Sequence, residues 1–253
     1  MIRKEIIAGK ELVFDSDKHR YWLNGVEAPA VTTIVGQLDK SNQLVWWNSN
    51  LIVEYLHDEF DKFTSGEMEL NPENTGRILS QARVHHEELR EKAADLGSRA
   101  HRLIEADLNI GEFTEKEFVV DDDLEPSYSA YLNWKESFEI FKPIATEIMT
   151  YGDYPCLYAG TADWIINLDN RILLGDIKTS KAIYPEYLIQ LSAYRKSLTE
   201  TNGIEIESMG ILRLDKVTGI PEWMEFSDAQ YKLAFRIFKH LCKVWHYRRD
   251  LKI

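Results

Sequence analysis

The segment from Ala159 to Ser180, AGTADWIINLDNRILLGDIKTS, sets three charged residues, Asp163, Asp176 and Lys178, within two otherwise apolar runs. Unpaired charge is costly to bury, and such groups normally pair with one another or coordinate a metal. If the polar pair Asp169-Asn170 forms the loop, the two runs meet as a hairpin in one register, which an odd-length loop or a bulge would shift. Leu168 opposes Arg171, and counting back along both strands sets Asp163 opposite Asp176. Directly opposed side chains share a sheet face, with Cβ atoms roughly 4.5–5.5 Å apart. Lys178, two residues beyond Asp176, projects from that face too. Two adjacent carboxylates repel and call for a cation. The lysine alone would make an inert ion-pair cluster. A divalent ion is the stronger explanation, because hard cations prefer oxygen ligands and bridge them to phosphate oxygens. Beside such an ion, Lys178 can hold charge developing on a phosphate or help deprotonate an attacking water. That chemistry is phosphodiester hydrolysis.

The elements that must position these residues follow from the surrounding pattern. Residues 11–27 read as a short hairpin turning at Asn24-Gly25, and residues 43–61 as an amphipathic helix. A polar, Gly- and Pro-punctuated loop is expected over 64–76. Residues 77–109 have helical spacing, as two helices meeting near Gly97. An acidic stretch, 112–126, leads into a helix over 126–142, with Pro126 in its first turn. Strands are expected over 144–151, 157–168, 171–179, 204–214 and 220–226, with helices over 184–200 and 228–249. Strands interspersed with helices indicate an α/β fold around a mixed sheet, with a mainly helical N-terminal portion. One domain over 1–253 is expected, with the hairpin and helices in 1–110 and the sheet in 111–253.

The spacing of AGTAD and DIKT, with QLSAY downstream, resembles the signature of the PD-(D/E)XK nuclease superfamily in its RecB-like exonuclease branch. GSRAHRLIE, residues 97–105, is similar to that branch's Gly-x-x-x-His-x-x-Ile-Glu helix, and HRYWLNGVEAPAVTTIV, 19–35, resembles the opening of phage-encoded relatives. The matching segments span residues 19 to 195. The resemblance implies a restriction-endonuclease-like central sheet flanked by helices and a Mg²⁺- or Mn²⁺-dependent deoxyribonuclease, with exonuclease activity expected first. Asp163 and Asp176 would be metal ligands together with His101 and the Ile177 carbonyl, and Lys178 the active-site lysine. Glu105, one helical turn after His101, would orient the ring or the ion's waters. Glu147, on the strand before the hairpin, stands where relatives often carry an acid. Gln190 and Tyr194 match the family's Gln-x-x-x-Tyr pair. The first acid follows Thr161-Ala162 rather than a proline, a form common in RecB-like members. A non-catalytic nucleic-acid-binding recombination partner and a structure-specific endonuclease are the alternatives.

Composition narrows the reading further. Two cysteines, Cys156 and Cys242, are too few for a four-thiolate iron–sulfur cluster and read as reduced thiols. A net charge of −12 argues against coating nucleic acid by bulk electrostatics. Residues 230–253 nevertheless carry seven Lys and Arg against one acid, Asp250. Lys232, Arg236, Lys239 and Lys243 fall within an arc of about 60° on the last helix, opposite Ala234, Ile237, Phe238, Leu241 and Trp245. That stripe is either a solvated face or a surface tracking a DNA backbone. Trp46-Trp47 and the pair Tyr128 and Tyr131 have spacing that suits core packing better than base stacking. His85, His86, His240 and His246 match no acid pattern. With no apolar run of 18 residues and no secretory signal at the start, a cytoplasmic protein with no membrane partner is expected. DNA is the expected partner, a single-strand annealing protein a further one by resemblance, and the oligomeric state is left open.

Overall fold

The computed structural model describes residues 1–38, 41–109 and 120–251. Most of the acidic stretch 112–126 lies outside the described residues. The chain divides into two compact units, one formed by Met1–Gln37 with Arg99–Ile253 and the other by Leu38–Ser98.

The first unit opens with an antiparallel meander of β1 (Ile2–Ile7), β2 (Lys10–Asp15), β3 (Arg20–Leu23) and β4 (Val26–Ala28), in that spatial order. Ala8-Gly9 and Asn24-Gly25 both have positive φ at the two turn positions, as the tightest hairpins require. The N-terminal portion is therefore a sheet before it is helical. β1 carries no alternating pattern because of its residues only Ile7 is buried, and a strand without an apolar face leaves no period-2 signal. A short helix, α1 (Val31–Val35), follows. The second unit holds α2 (Ser41–Thr64) and the first part of α3 (Pro72–Leu108). Tyr55 ties these helices together, its hydroxyl donating to Gln81 Oε1 at 2.9 Å and its ring 4.8 Å from that of His85. α3 runs unbroken through Gly97, where two helices are expected from sequence. An isolated glycine costs a helix only about 1 kcal/mol, and the flanking residues form good turns on both sides.

α4 (Glu125–Lys135) is shorter than the 126–142 expected, and β5 (Phe141–Gly152) starts correspondingly early. Ser137 stops the helix by donating to the Trp134 carbonyl at 2.7 Å, and the Ile140 N–H goes to Asp169 on a distant turn. Pro143, which cannot sit inside a helix, already belongs to the strand. β6 (Tyr158–Leu168) and β7 (Arg171–Lys178) then form the hairpin, α5 (Pro185–Thr201) crosses over, and β8 (Ser208–Leu214), β9 (Pro221–Phe226) and α6 (Asp228–Asp250) complete the unit. The five strands lie in the order β5-β6-β7-β8-β9, antiparallel except for β7–β8. That parallel pair needs a long crossover, which α5 supplies.

Alternation along the strands sorts the side chains. Trp164, Ile166, Leu168, Leu173 and Ile177 pack on one face against Ile104 and Leu108 of α3 and Tyr131 and Trp134 of α4. The intervening residues of β7, Asp176 and Lys178, face α5. The meander packs its own apolar face, Leu12, Tyr21 and Leu23, on Met149, Tyr151 and Ala159. The Ala159 N–H donates to the Pro29 carbonyl at 3.0 Å, stitching the end of the meander to β6. No described helix is long and apolar enough to cross a membrane.

Candidate metal centre

The β6–β7 ladder has the register derived from the turn: Leu168 pairs with Arg171 and the pairing continues to Trp164 with Gly175. Asp169 and Asn170 both have positive φ and form the two-residue loop. Beyond Gly175, a side chain takes over from the backbone. The Ile177 N–H donates to Asp163 Oδ2 at 3.0 Å, which holds this carboxylate between the strands. Gly175 is needed at the last ladder position, because a Cβ there would lie 2.6 Å from the Trp164 ring. Gly160 plays the same part for Tyr194, whose ring would meet its Cβ at 2.5 Å.

Asp176 is 1% exposed. Its Oδ1 accepts from Gln190 Nε2 at 3.2 Å, while Oδ2 pairs with the Lys178 ammonium and accepts no aligned hydrogen bond. Lys178 also lies over the Tyr187 ring, 5.0 Å from its centroid. From the C-terminal end of α3, His101 sets Nδ1 3.4 Å from Asp163 Oδ2. Glu105, on the same helical face, lines a small cavity with His101, Glu147, Asp163 and Ile177, roomy enough for about one water or ion. Glu147 sits on β5 between Thr146 and Ile148, which pair with Trp164 and Ala162, so it stands level with Asp163. Its φ of +49° is one that a non-glycine residue rarely adopts, and such strain collects at functional sites.

Glu147 and Asp163 also line a second cavity of about 400 Å³, walled by Phe14, His19, Tyr21, Thr161, Gln190 and Tyr194. Tyr21 is fixed there by a 2.9 Å hydrogen bond with Thr161 and by stacking on Phe14 at 4.4 Å. His19 meets the edge of Phe14 at 5.5 Å.

The electrostatics show what this cluster lacks. Burial, then the neighbouring Asp163 and Glu105 carboxylates, push Glu147 up to about 7. Burial raises Glu105 as well, and Arg3 on β1 only tempers both. Asp176 is raised by burial and by Asp163, against the pull of Lys178. Burial pulls the Lys178 pKa down, but Asp176 and Asp163 outweigh it and raise it above the usual lysine value, which keeps the ammonium charged. One ammonium among four acids leaves them repelling one another. A divalent cation would offset this repulsion, and the set offers it carboxylate oxygens and an imidazole, though not gathered as closely as the ligand atoms of Cys156, Cys242 and His246.

Glu147 yields a testable pH effect in the metal-free protein. Its folded pKa of about 7 lies above the usual glutamate value, so its contribution to stability is full below pH ~4.5 and is lost as pH rises through ~7. Glu147→Gln removes that penalty. With chelator present, the variant is expected to be more stable than the parent by about 1–3 kcal/mol at pH 8 and nearly equal at pH 5, read by urea unfolding. Equal stability at both pH values would contradict it.

The structure thus brings together Asp163, Asp176, Lys178, His101, Glu105, Glu147, Gln190 and Tyr194, with Ile177 beside them through its N–H and side chain. It does not bring Lys232, Arg236, Lys239 or Lys243 to the walls of either cavity. α6 is also rotated from the orientation expected. Its buried face is Ala234, Phe235, Phe238 and Cys242, while Ile237 is 37% exposed. The two phenylalanines stack on each other, Phe238 meets the Tyr158 ring edge to face, and this aromatic packing sets the rotation. Lys232 pairs with Asp228, and Lys239 lies over the Tyr154 and Phe235 rings. Tyr131 is fully buried, with its hydroxyl on Asp107, and Trp46 is 72% exposed. Phe14, Tyr21, Thr161, Tyr187 and Arg3 are given no role at the site by the sequence reading, although Tyr21 and Thr161 stand within the segments it quotes. Only Thr161, two residues before Asp163 and so on its face, carries a signal in its spacing.

No protein-family model matches the chain, and no curated protein matches it. Among solved structures it is similar to that of a protein named "Putative exonuclease" from Eubacterium rectale, with a TM-score of 0.40 and 14% identity. That match covers 58% of this chain and spans 64% of the other.

Proposed function

We propose that this protein is a Mg²⁺- or Mn²⁺-dependent deoxyribonuclease of restriction-endonuclease-like fold and RecB-like type that hydrolyses DNA from an end. The observation that carries the reading is the convergence of Asp163, Asp176 and His101, from two strands and a helix, with Lys178 charged beside them. The motif spacing of AGTAD, DIKT and GSRAHRLIE supports the same reading.

Asp163, Asp176, His101 and the Ile177 carbonyl would hold the ion, which when bound supplies Lewis-acid charge to phosphate oxygens and makes water a better nucleophile near neutral pH. The chain's own part is to position and to balance charge. Ile177 N–H and Gln190 hold the two aspartates at fixed angles. Lys178 donates to the phosphate oxygen on which negative charge grows, in a site where burial strengthens that interaction. Glu147, ionising near neutrality beside Asp163, orients or accepts a proton from a water in the small cavity. The 400 Å³ cavity is of a size for one nucleotide, and its Phe14, His19 and Tyr21 rings offer faces for a base at the end of a strand. This favours action at an end over action within a long duplex.

Digestion of linear DNA carrying label at either end, beside a covalently closed circle, tests the reading. Linear DNA is expected to be degraded progressively from an end and the circle to survive. Cutting of the circle at the linear rate would instead make the protein an endonuclease.

A further inference from the structure

A second cluster of metal-binding side chains lies apart from the carboxylates, where α6 meets the connection between β5 and β6. Cys156 belongs to that connection, and Cys242 and His246 lie one turn apart on α6. One ligand atom from each, two sulfurs and a ring nitrogen, lies within 4.8 Å of the others. Cys242 is fully buried, and Cys156 and His246 are half-buried. His246 Nε2 lies 2.8 Å from the Leu157 carbonyl. A carbonyl can only accept, so this nitrogen carries the proton and the lone pair sits on Nδ1. Metal-ligating histidines are held in this way, with the other ring N–H given to a backbone carbonyl.

We propose that Cys156, Cys242 and His246 form a zinc site that clamps the β5–β6 connection to α6. Two sulfurs and an imidazole suit Zn²⁺ and not the Mg²⁺ or Mn²⁺ proposed for the oxygen-rich centre. Three protein ligands leave a fourth, tetrahedral position for water. On binding, each thiol S–H breaks, an S–Zn bond forms, and the proton passes to solvent. Clamping residues 153–157 steadies the start of β6, five residues before Asp163. The site stands whether or not the carboxylate centre is a nuclease.

The test uses the full chain, stripped with chelator under reducing conditions, reloaded with Zn²⁺ or Co²⁺ in the presence of excess Mg²⁺, and passed through gel filtration. The parent is expected to retain stoichiometric zinc, to melt at higher temperature with it, and to show a thiolate-to-cobalt charge-transfer band with Co²⁺. Cys156→Ser and His246→Ala should each lose retention, the thermal gain and much of the band while keeping the parent's circular dichroism. Should a variant fail to fold, the parent's cobalt spectrum decides alone, because no carboxylate centre can produce a thiolate band. A folded parent that retains no zinc, a cobalt spectrum without that band, or recovery of a Cys156–Cys242 disulfide from the reduced, reloaded protein would overturn the proposal.

Discussion

Replacing Lys178 with alanine is expected to slow DNA hydrolysis by about 100- to 1,000-fold or more, the usual cost of losing a preorganised charge at a developing oxyanion. The ammonium is held charged by Asp176 and Asp163 although it is buried, so its full charge is available where the phosphate would sit. Asp176, itself raised by burial, loses its counter-charge in the variant and becomes easier still to protonate. It therefore need not remain as an unpaired buried ion, and the far-ultraviolet circular dichroism should match that of the parent. Lys178→Arg is not expected to restore the rate, because a bulky planar guanidinium does not reproduce the placement of the compact ammonium paired with buried Asp176. Purified Lys178→Ala protein that cuts as fast as the parent would remove Lys178 from the mechanism.

Asp163→Asn should lower the rate by about 1,000-fold, as loss of a group acting in concert with others does. Yet it should leave the metal-free fold at least as stable as before. The amide oxygen can accept the Ile177 N–H in place of Oδ2, so the strand ends stay joined. Glu147 and Glu105 lose a repelling neighbour, which lowers the cost of keeping them ionised. The ion-dependent part of stability behaves oppositely. At a Mn²⁺ concentration a hundredfold above its dissociation constant the parent gains about 2.7 kcal/mol, and a variant binding a hundredfold more weakly gains under ~1 kcal/mol. Thermal melts with and without Mn²⁺ measure both quantities. Equal manganese-induced shifts in parent and variant would show that Asp163 is not a ligand.

The hairpin was legible because its information is local. A two-residue turn sets the register, the register sets the faces, and the faces put Asp163, Asp176 and Lys178 together. His101 and Glu105 depend on helical spacing that survives Gly97, and Gln190 and Tyr194 on the crossover that a parallel β7–β8 pair demands. Tertiary packing decided the remainder. β1 hides because its side chains face solvent on both sides, and the true end of α4 depends on Ser137 and on Asp169, some thirty residues away. The rotation of α6 follows from stacked phenylalanines that a periodicity count treats like any other apolar residue. The wall of Phe14, His19 and Tyr21 comes to the acids through the docking of β4's end on Ala159, a contact across 130 residues. The meeting of Cys156 with Cys242 and His246 is equally long in range.

The central claim is that the acids around Asp163 and Asp176 hold a divalent cation for cutting DNA. The most direct measurement is the release of acid-soluble nucleotides from linear single- and double-stranded DNA by the purified protein, with Mg²⁺ or Mn²⁺ and again with chelator. Release that requires the metal and stops with chelator is the expected result. No release from either form of DNA with either metal, by a correctly folded chain, would contradict it.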